Sequence, residues 1–471
     1  VTWLDALPPG GTPAGEAVRA AVVGAAFLLV FAAAEAWRAW GTPEPEWTRK
    51  LVHFGGGLVS AALPWVIGSH WTVLALGAAF AGIIGGTKRL GLLRSVHGVS
   101  RSSQGGVYFP LAVYLLFLLS SHRPVFYLIS VLVLVVSDTM AALVGSRYGR
   151  AVYPVEKDSR SLEGSAVFFL TTFLIVHLPL LLLTEMDRAA TVVIGVQLAL
   201  VVTCFEAISV GGNDNVIVPL ATYFLLVKMT PKTAEYILVQ LAAQAVIIAV
   251  VAVVALRFRF MAFSTAVALT LILYGAFSLG GEEWVVAPAL GMLAFVAFYL
   301  RYRRMREKGT EAYQVGTLFY AGILATLMFL LNNAFETLAP PAWRFPVRDP
   351  FYVPYVGIVC AHVAIMFRYL LDLRGLGAGR GRLTAIAAAA VFAFGVIVPV
   401  SLAVGARGLT PWGLAMAATI SFGSLAAYHG VRTRRWWPRT AHWDARLQAL
   451  TVLLVTAILL PLHLWSIGAI G

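Results

Sequence analysis

Cysteine is almost missing from this chain. Cys204 and Cys360 are the only two in 471 residues, and both sit inside apolar runs, which argues against a disulfide framework or a zinc site. Charge is scarce as well. Charged residues make up 12% against 60% hydrophobic, with a mean hydropathy of +0.83, too little polar surface for an ordinary water-soluble domain of this length. Acids are the rarer sign, 22 against 35 Lys and Arg. The resulting charge of +13 is not gathered into one basic region, so it speaks against a nucleic-acid surface. No internal repeat relates the two halves.

What the chain does have is apolar runs of about 20 residues, each long enough to cross a bilayer. Sixteen candidates follow one another, centred from near residue 27 to near residue 458. They predict an all-α polytopic membrane protein of about 16 transmembrane helices. The first run leads into Trp37, Arg38 and a continuing polytopic pattern, so it reads as a span and not a cleavable leader. The run at 213–229 is short and contains Pro219, which predicts a broken or re-entrant helix. With the N-terminus outside, 27 of the 35 Lys and Arg fall in loops on one side of the membrane. The positive-inside rule then puts those loops in the cytoplasm of a cell-membrane protein, with both termini outside.

Against this apolar background four polar clusters stand out, all on the predicted cytosolic side. Arg49, Lys50 and His53 open the second span, with Arg49 and His53 on one helical face; anchoring by positive charge is the plain alternative. Residues 88–110 are rich in Ser and Gly, with Arg101, Ser103 and Gly105 in a stretch whose backbone N–H groups can hollow out an anion site. The densest segment runs from Ser137 to Ser165. Asp138 stands at the end of an apolar run, where a carboxylate is costly, and heads a stripe of Ala141, Gly145 and Gly149 on one helix face. Arg147, Arg150, Lys157 and Arg160 follow, and Ser161 is placed to cap a helix whose first N–H groups can hold phosphate. The fourth cluster, Glu206 with Asn213, Asp214 and Asn215, offers hard oxygen ligands of the kind Mg²⁺ takes; helix capping is its plain alternative. His362, His429 and His463 lack ligand spacing and read as structural.

Taken in order, these pieces resemble the CTP-dependent lipid-alcohol kinases: dolichol kinases, phytol kinases and CTP-using diacylglycerol kinases. The resemblance runs over residues 45–257 through Arg49-Lys50-x-x-His53, Arg101-x-Ser103-x-Gly105 with Phe109-Pro110, Asp138 with Ala141, Gly145 and Gly149, Arg160-Ser161-x-Glu163-Gly164, and Glu206 with Asp214-Asn215 and Pro219. Arg160 stands where the family usually has lysine, which keeps the charge but changes its geometry. The resemblance implies a membrane catalytic domain over 1–257 that transfers the γ-phosphate of CTP, or another nucleotide, to the hydroxyl of phytol, a polyprenol or diacylglycerol. It implies Mg²⁺ on Asp138, Glu206, Asp214 and Asn215. It also implies Asp138, Glu163 and His53 in the catalytic set, and Arg49, Lys50, Arg101, Ser103, Gly105, Lys157, Arg160, Ser161 and Gly164 around the nucleotide. Residues 258–471, about seven further helices, form an additional membrane domain of unknown function. Two rivals remain: a cytidylyltransferase making a CDP-lipid, whose Pro-Gly-His-Gly-Gly signature is absent, and a non-enzymatic lipid or ion transporter.

Overall fold

A computed structural model describes residues 12–41, 43–93, 95, 105–156, 158–258, 261–301, 315–338, 347–373, 380–405, 408–434, 437 and 440–468. The protein is an all-α polytopic membrane protein. A helix occupies each of the sixteen expected positions, and among the described residues twelve helices are long and apolar enough to cross a membrane. Large apolar side chains lie exposed along them, among them Leu29, Leu182, Val246 and Ile458. In water such surface would be a liability; in a bilayer it is the ordinary lipid-facing side.

The helices fall into two compact units, up to Ala242 and from Ala243 on. The first contains α1 (Pro13–Gly41), α2 (Pro45–Ala61), α3 (His70–Leu90), α4 (Gly105–Leu119) and α5 (Pro124–Tyr148). A two-stranded hairpin follows, β1 (Val152–Val155) and β2 (Asp158–Ser161), and then α6 (Leu162–Leu183), α7 (Arg188–Ala207) and α8 (Asp214–Met229). Next, α9 (Ala234–Phe258) runs across the boundary between the units.

Three departures from the sequence reading bear on the site. The run before Asp138 is not regular α-helix: α5 continues past Asp138 to Tyr148, as the stripe requires, but its apolar run reaches Asp138 through a π-helical turn at Val133–Ser137. Such a turn takes one extra residue per hydrogen-bonded ring and recurs at functional positions. The basic loop before Ser161 is a hairpin, with Val152 opposite Ser161 and Val155 opposite Asp158. Its connection carries Glu156 at φ 55°, the left-handed backbone that a two-residue turn needs. Finally, the run at 213–229 is one continuous short helix, with Pro219 inside it.

Close packing fixes the register between α2 and α5. A Cβ at Gly57 would lie 2.0 Å from Val135 Cγ2 in the π-helical turn. Gly57→Leu is therefore expected to destabilise the protein by at least ~1–3 kcal/mol, the usual cost of overpacking, and to disturb everything α2 brings to Asp138. Gly24 in α1 has nothing within 4 Å of the added atom, so Gly24→Leu should leave the thermal unfolding midpoint in detergent near that of the parent.

The stripe below Asp138 has the same function. Added Cβ atoms at Gly145 and Gly149 would meet Ser161 at 3.0 and 2.8 Å, and one at Gly164 would meet the Ala141 carbonyl at 3.1 Å. The stripe seats α5 against the start of α6, as small residues do between membrane helices.

The second unit contains α10 (Phe263–Gly280), α11 (Glu282–Arg301), α12 (Val315–Leu338), α13 (Tyr352–Leu373), α14 (Arg380–Val404), α15 (Pro411–Arg432) and α16 (Ala441–Ser466). Its core is built around α13, with 89% of that apolar span buried. Cys204 and Cys360 are free.

Candidate functional site

Five of the expected residues meet in the first unit as two linked ion-pair groups. Lys50 Nζ lies 2.6 Å from Asp138 Oδ2 and also reaches the Asp138 carbonyl at 3.5 Å. Lys50 sits one turn into α2 with its side chain only 6% exposed, so its charge needs a partner; a buried charge persists when paired. In the second group the Arg160 guanidinium forks between two acids, Nη1 to Glu206 Oε1 at 2.8 Å and Nη2 to Asp214 Oδ2 at 3.3 Å. Burial works against the charged form of Arg160, but the carboxylates of Glu206, Asp214 and Asp138 outweigh it and hold the guanidinium well above its ordinary pKa. The shared field of Asp138 makes the two groups one site.

Local geometry explains how distant sequence pieces arrive here. Arg160 is the third residue of β2, paired with Tyr153 across the hairpin, and the hairpin carries it off the end of α5. The Tyr153 hydroxyl bonds Ser165 at 3.0 Å, and burial pushes its pKa up to about 12. Glu206 is in the last turn of α7. The chain then reverses through Gly211 and Gly212, at φ 66° and 90°, a left-handed pair that glycine adopts freely. That reversal returns Asp214 beside Glu206. Asn213 Oδ1 accepts from Val210 N–H at 2.8 Å. Asn215 donates its backbone N–H and side-chain amide to Asp214 Oδ1, at 3.0 and 3.2 Å, turning Oδ2 toward Arg160.

His53, one turn after Lys50, puts Nε2 3.5 Å from Asp138 Oδ2; that nitrogen is buried and makes no hydrogen bond among the described residues. Its ring meets the edge of Phe109 at 5.6 Å. Phe109 in turn lines a narrow apolar cleft with Phe27, Phe80, Pro110 and Val113. Charge and apolar surface therefore adjoin at His53. Arg49 pairs with Glu46 on its own helix and interacts with the charges of Asp138 and Asp214.

Other expected residues are placed differently. Ser161 caps α6 as expected, accepting from Gly164 N–H at 3.1 Å, but that bond occupies one first-turn donor. Leu162 N–H is spent on the Ala151 carbonyl at 3.0 Å, so the helix start has fewer donors for a phosphate than its sequence suggests. Glu163 accepts from Ala151 N–H at 3.1 and 3.3 Å and sits at the base of the hairpin. Gly105 is the first residue of α4. Arg101, Ser103 and Lys157 lie outside the described residues. The π-helical turn and the buried Ser137–Thr172 hydroxyl pair behind it, 3.0 Å apart, had no signal in the sequence.

Among the described residues no three His, Cys, Asp or Glu side chains converge to hold a metal. Glu206 and Asp214 do converge on one guanidinium, and two carboxylates are what Mg²⁺ commonly takes from a protein when substrate phosphates and water complete its shell. The two carboxylates are of the kind that ion takes, and in this structure both are held by Arg160.

These features define a polytopic membrane protein with a compact acid–base site set against an apolar cleft. The chain is 35% identical over 179 residues to a phytol kinase of Synechocystis sp. (strain ATCC 27184 / PCC 6803 / Kazusa), a match covering 38% of this chain and 76% of the relative. It belongs to the lipid-alcohol kinase family, and the C-terminal half lies outside the match. No family model and no solved structure matches the chain.

Proposed function

We infer that the first unit phosphorylates an isoprenoid alcohol such as phytol, with CTP as donor, at the cytosolic face of the cell membrane. The observation that carries this reading is the Lys50–Asp138 pair beside His53: a carboxylate held by a buried cation, at the edge of an apolar cleft. The cleft takes the start of the alcohol's tail, and the hydroxyl comes to rest between His53 and Asp138. Its oxygen forms a bond to the γ-phosphorus while the bond to the bridging oxygen breaks. The nucleoside diphosphate leaves, and Asp138 accepts the hydroxyl proton. Phosphoryl transfer asks little covalent chemistry of the protein and much positioning and charge. Here Lys50, Arg49 and Arg160 supply positive charge around the phosphates, and Lys50 and His53 orient Asp138. Asp214, turned by Asn215, and Glu206 are the residues that would hold Mg²⁺. When bound, that ion gathers the charge of the β- and γ-phosphates. The bias of basic loops supports the cytosolic orientation.

The test is transfer from γ-labelled CTP by the purified protein with Mg²⁺ and a panel of phytol, farnesol, longer polyprenols and diacylglycerol. Label is expected in an organic-extractable monophosphate, with phytol or another prenyl alcohol ahead of diacylglycerol. Release of pyrophosphate with a CDP-lipid would instead make the protein a cytidylyltransferase, and no transfer to any alcohol would favour transport.

A further inference from the structure

Lys50, His53, Asp138, Glu206 and Asp214 all stand on helices, whereas Arg160 stands on β2 of a two-stranded hairpin. Two strands by themselves are marginally stable, and a site on a loosely held element is less precise than one on a rigid element. Yet the guanidinium meets acids on two different helices with one planar fork, a geometry that a small rotation of the strand would spoil. The hairpin therefore has to be held against the helices at the level of Arg160.

The base of the hairpin is tied to α6 through Ala151, whose N–H donates to Glu163 and whose carbonyl accepts from Leu162 N–H. Those bonds lie outside the Val152–Ser161 pair and leave the strands free to tilt about that end. One pair further along, Tyr153 is directly opposite Arg160, so the two side chains project from one face of the ribbon with Cβ atoms about 5 Å apart. Tyr153 is 6% exposed. Its hydroxyl lies 3.0 Å from Ser165 Oγ, one turn into α6, and the charges of Glu206 and Arg160 both act on it. The hairpin is thus tied to α6 by Tyr153, and to α7 and α8 by Arg160 at the same level.

We propose, resting on the assignment of Arg160 to the nucleotide phosphates, that Tyr153 is a positioning residue: bonded to Ser165, it holds the hairpin at the angle that aims the guanidinium. Tyr153 is given no contact with the reacting atoms. It acts through the strand pair that it shares with Arg160. Removing the hydroxyl leaves the ring in place, so the hairpin stays packed and loses only the bond that fixes its tilt. The guanidinium then spends part of its time out of line with the phosphates, and nucleotide binding weakens. The step at Asp138 is unaltered, because Asp138 is held from α2 by Lys50.

The experiment measures nucleotide KM and kcat with labelled CTP and phytol for the full-length protein in lipid nanodiscs, and hydrogen exchange of the same samples without ligand. In Tyr153→Phe and in Ser165→Ala the nucleotide KM should rise about fivefold, the net worth of one neutral hydrogen bond, with kcat and the KM for phytol unchanged. The double variant should be no worse than either single one. In an Arg160→Lys background, with no fork to aim, Tyr153→Phe should raise the KM no further. Backbone amides of 152–155 and 158–161 should exchange about fivefold faster in both variants for the same reason, while those of α6 beyond Phe168 keep the rates of the parent. A lower unfolding temperature with the nucleotide KM of the parent would make the bond merely structural and overturn the proposal, as would a full KM effect on top of Arg160→Lys. If the parent phosphorylates no alcohol, the kinase reading fails, and hydrogen exchange alone then decides: equal hairpin exchange in parent and variants overturns the tie to Ser165. Should the phenylalanine variant misfold, Ser165→Ala carries each comparison.

Discussion

Asp138→Asn is expected to remove phosphate transfer to the alcohol almost completely, with a fall of roughly 10³-fold in kcat, within the range that a lost general base produces. Asparagine matches the shape of aspartate, so the cleft and the approach of the hydroxyl are kept while the negative charge and the proton acceptor are lost. A second consequence has to be separated from the first. Lys50, almost wholly buried, loses the carboxylate 2.6 Å away, and an unpaired buried charge destabilises by about 3–5 kcal/mol. The double variant Lys50→Met/Asp138→Asn removes both charges and should recover much of the unfolding temperature while remaining inactive. Activity per folded molecule, from label incorporated against the folded fraction, distinguishes chemistry from stability. An Asp138→Asn protein that phosphorylates phytol within a few-fold of the parent would refute the assignment of the carboxylate.

The helices were legible because the bilayer sets their length, and every apolar run of the right size became one. The acids and cations of the site were legible for a related reason: Asp138, Glu206 and Arg160 stand out against runs that otherwise exclude charge. Their partnerships were not. Nothing in the sequence says that Asp138 takes Lys50 while Arg160 takes both Glu206 and Asp214, because that choice is made by the packing of α2 on the π-helical turn and by the hairpin that carries Arg160. The hairpin left a trace in Val152, Tyr153 and Val155, β-formers in a short run, but Glu156 takes the left-handed turn position where glycine or asparagine would announce it. The stripe at Gly145 and Gly149 was visible, yet only coordinates distinguish a ligand groove from a helix seat, and Ser161 and Gly164 occupy it. Glu163 shows the opposite limit. It stands in a segment that resembles the family's, yet its carboxylate holds the base of the hairpin.

Arg160 carries the other large expectation, because one guanidinium holds two acids. In Arg160→Met the Glu206 and Asp214 carboxylates, with side chains 6% and 16% exposed, face each other without a cation, and a stability loss of about 3–5 kcal/mol is expected. Arg160→Lys keeps the positive charge and changes only its geometry. An ammonium is a point charge and does not reproduce the fork, so one of the two contacts is lost and the folded protein should survive with a smaller deficit. Its nucleotide KM is expected to rise about tenfold, one hydrogen bond to a charged group, with kcat little changed, since the arginine is assigned to the phosphates and Asp138 to the proton. A double-mutant cycle with Glu206→Gln should return a coupling of about 1–3 kcal/mol, as contacting charged residues do. Should Arg160→Met unfold at the temperature of the parent with its nucleotide KM unchanged, the guanidinium has neither role, and the two acids must be held by something else.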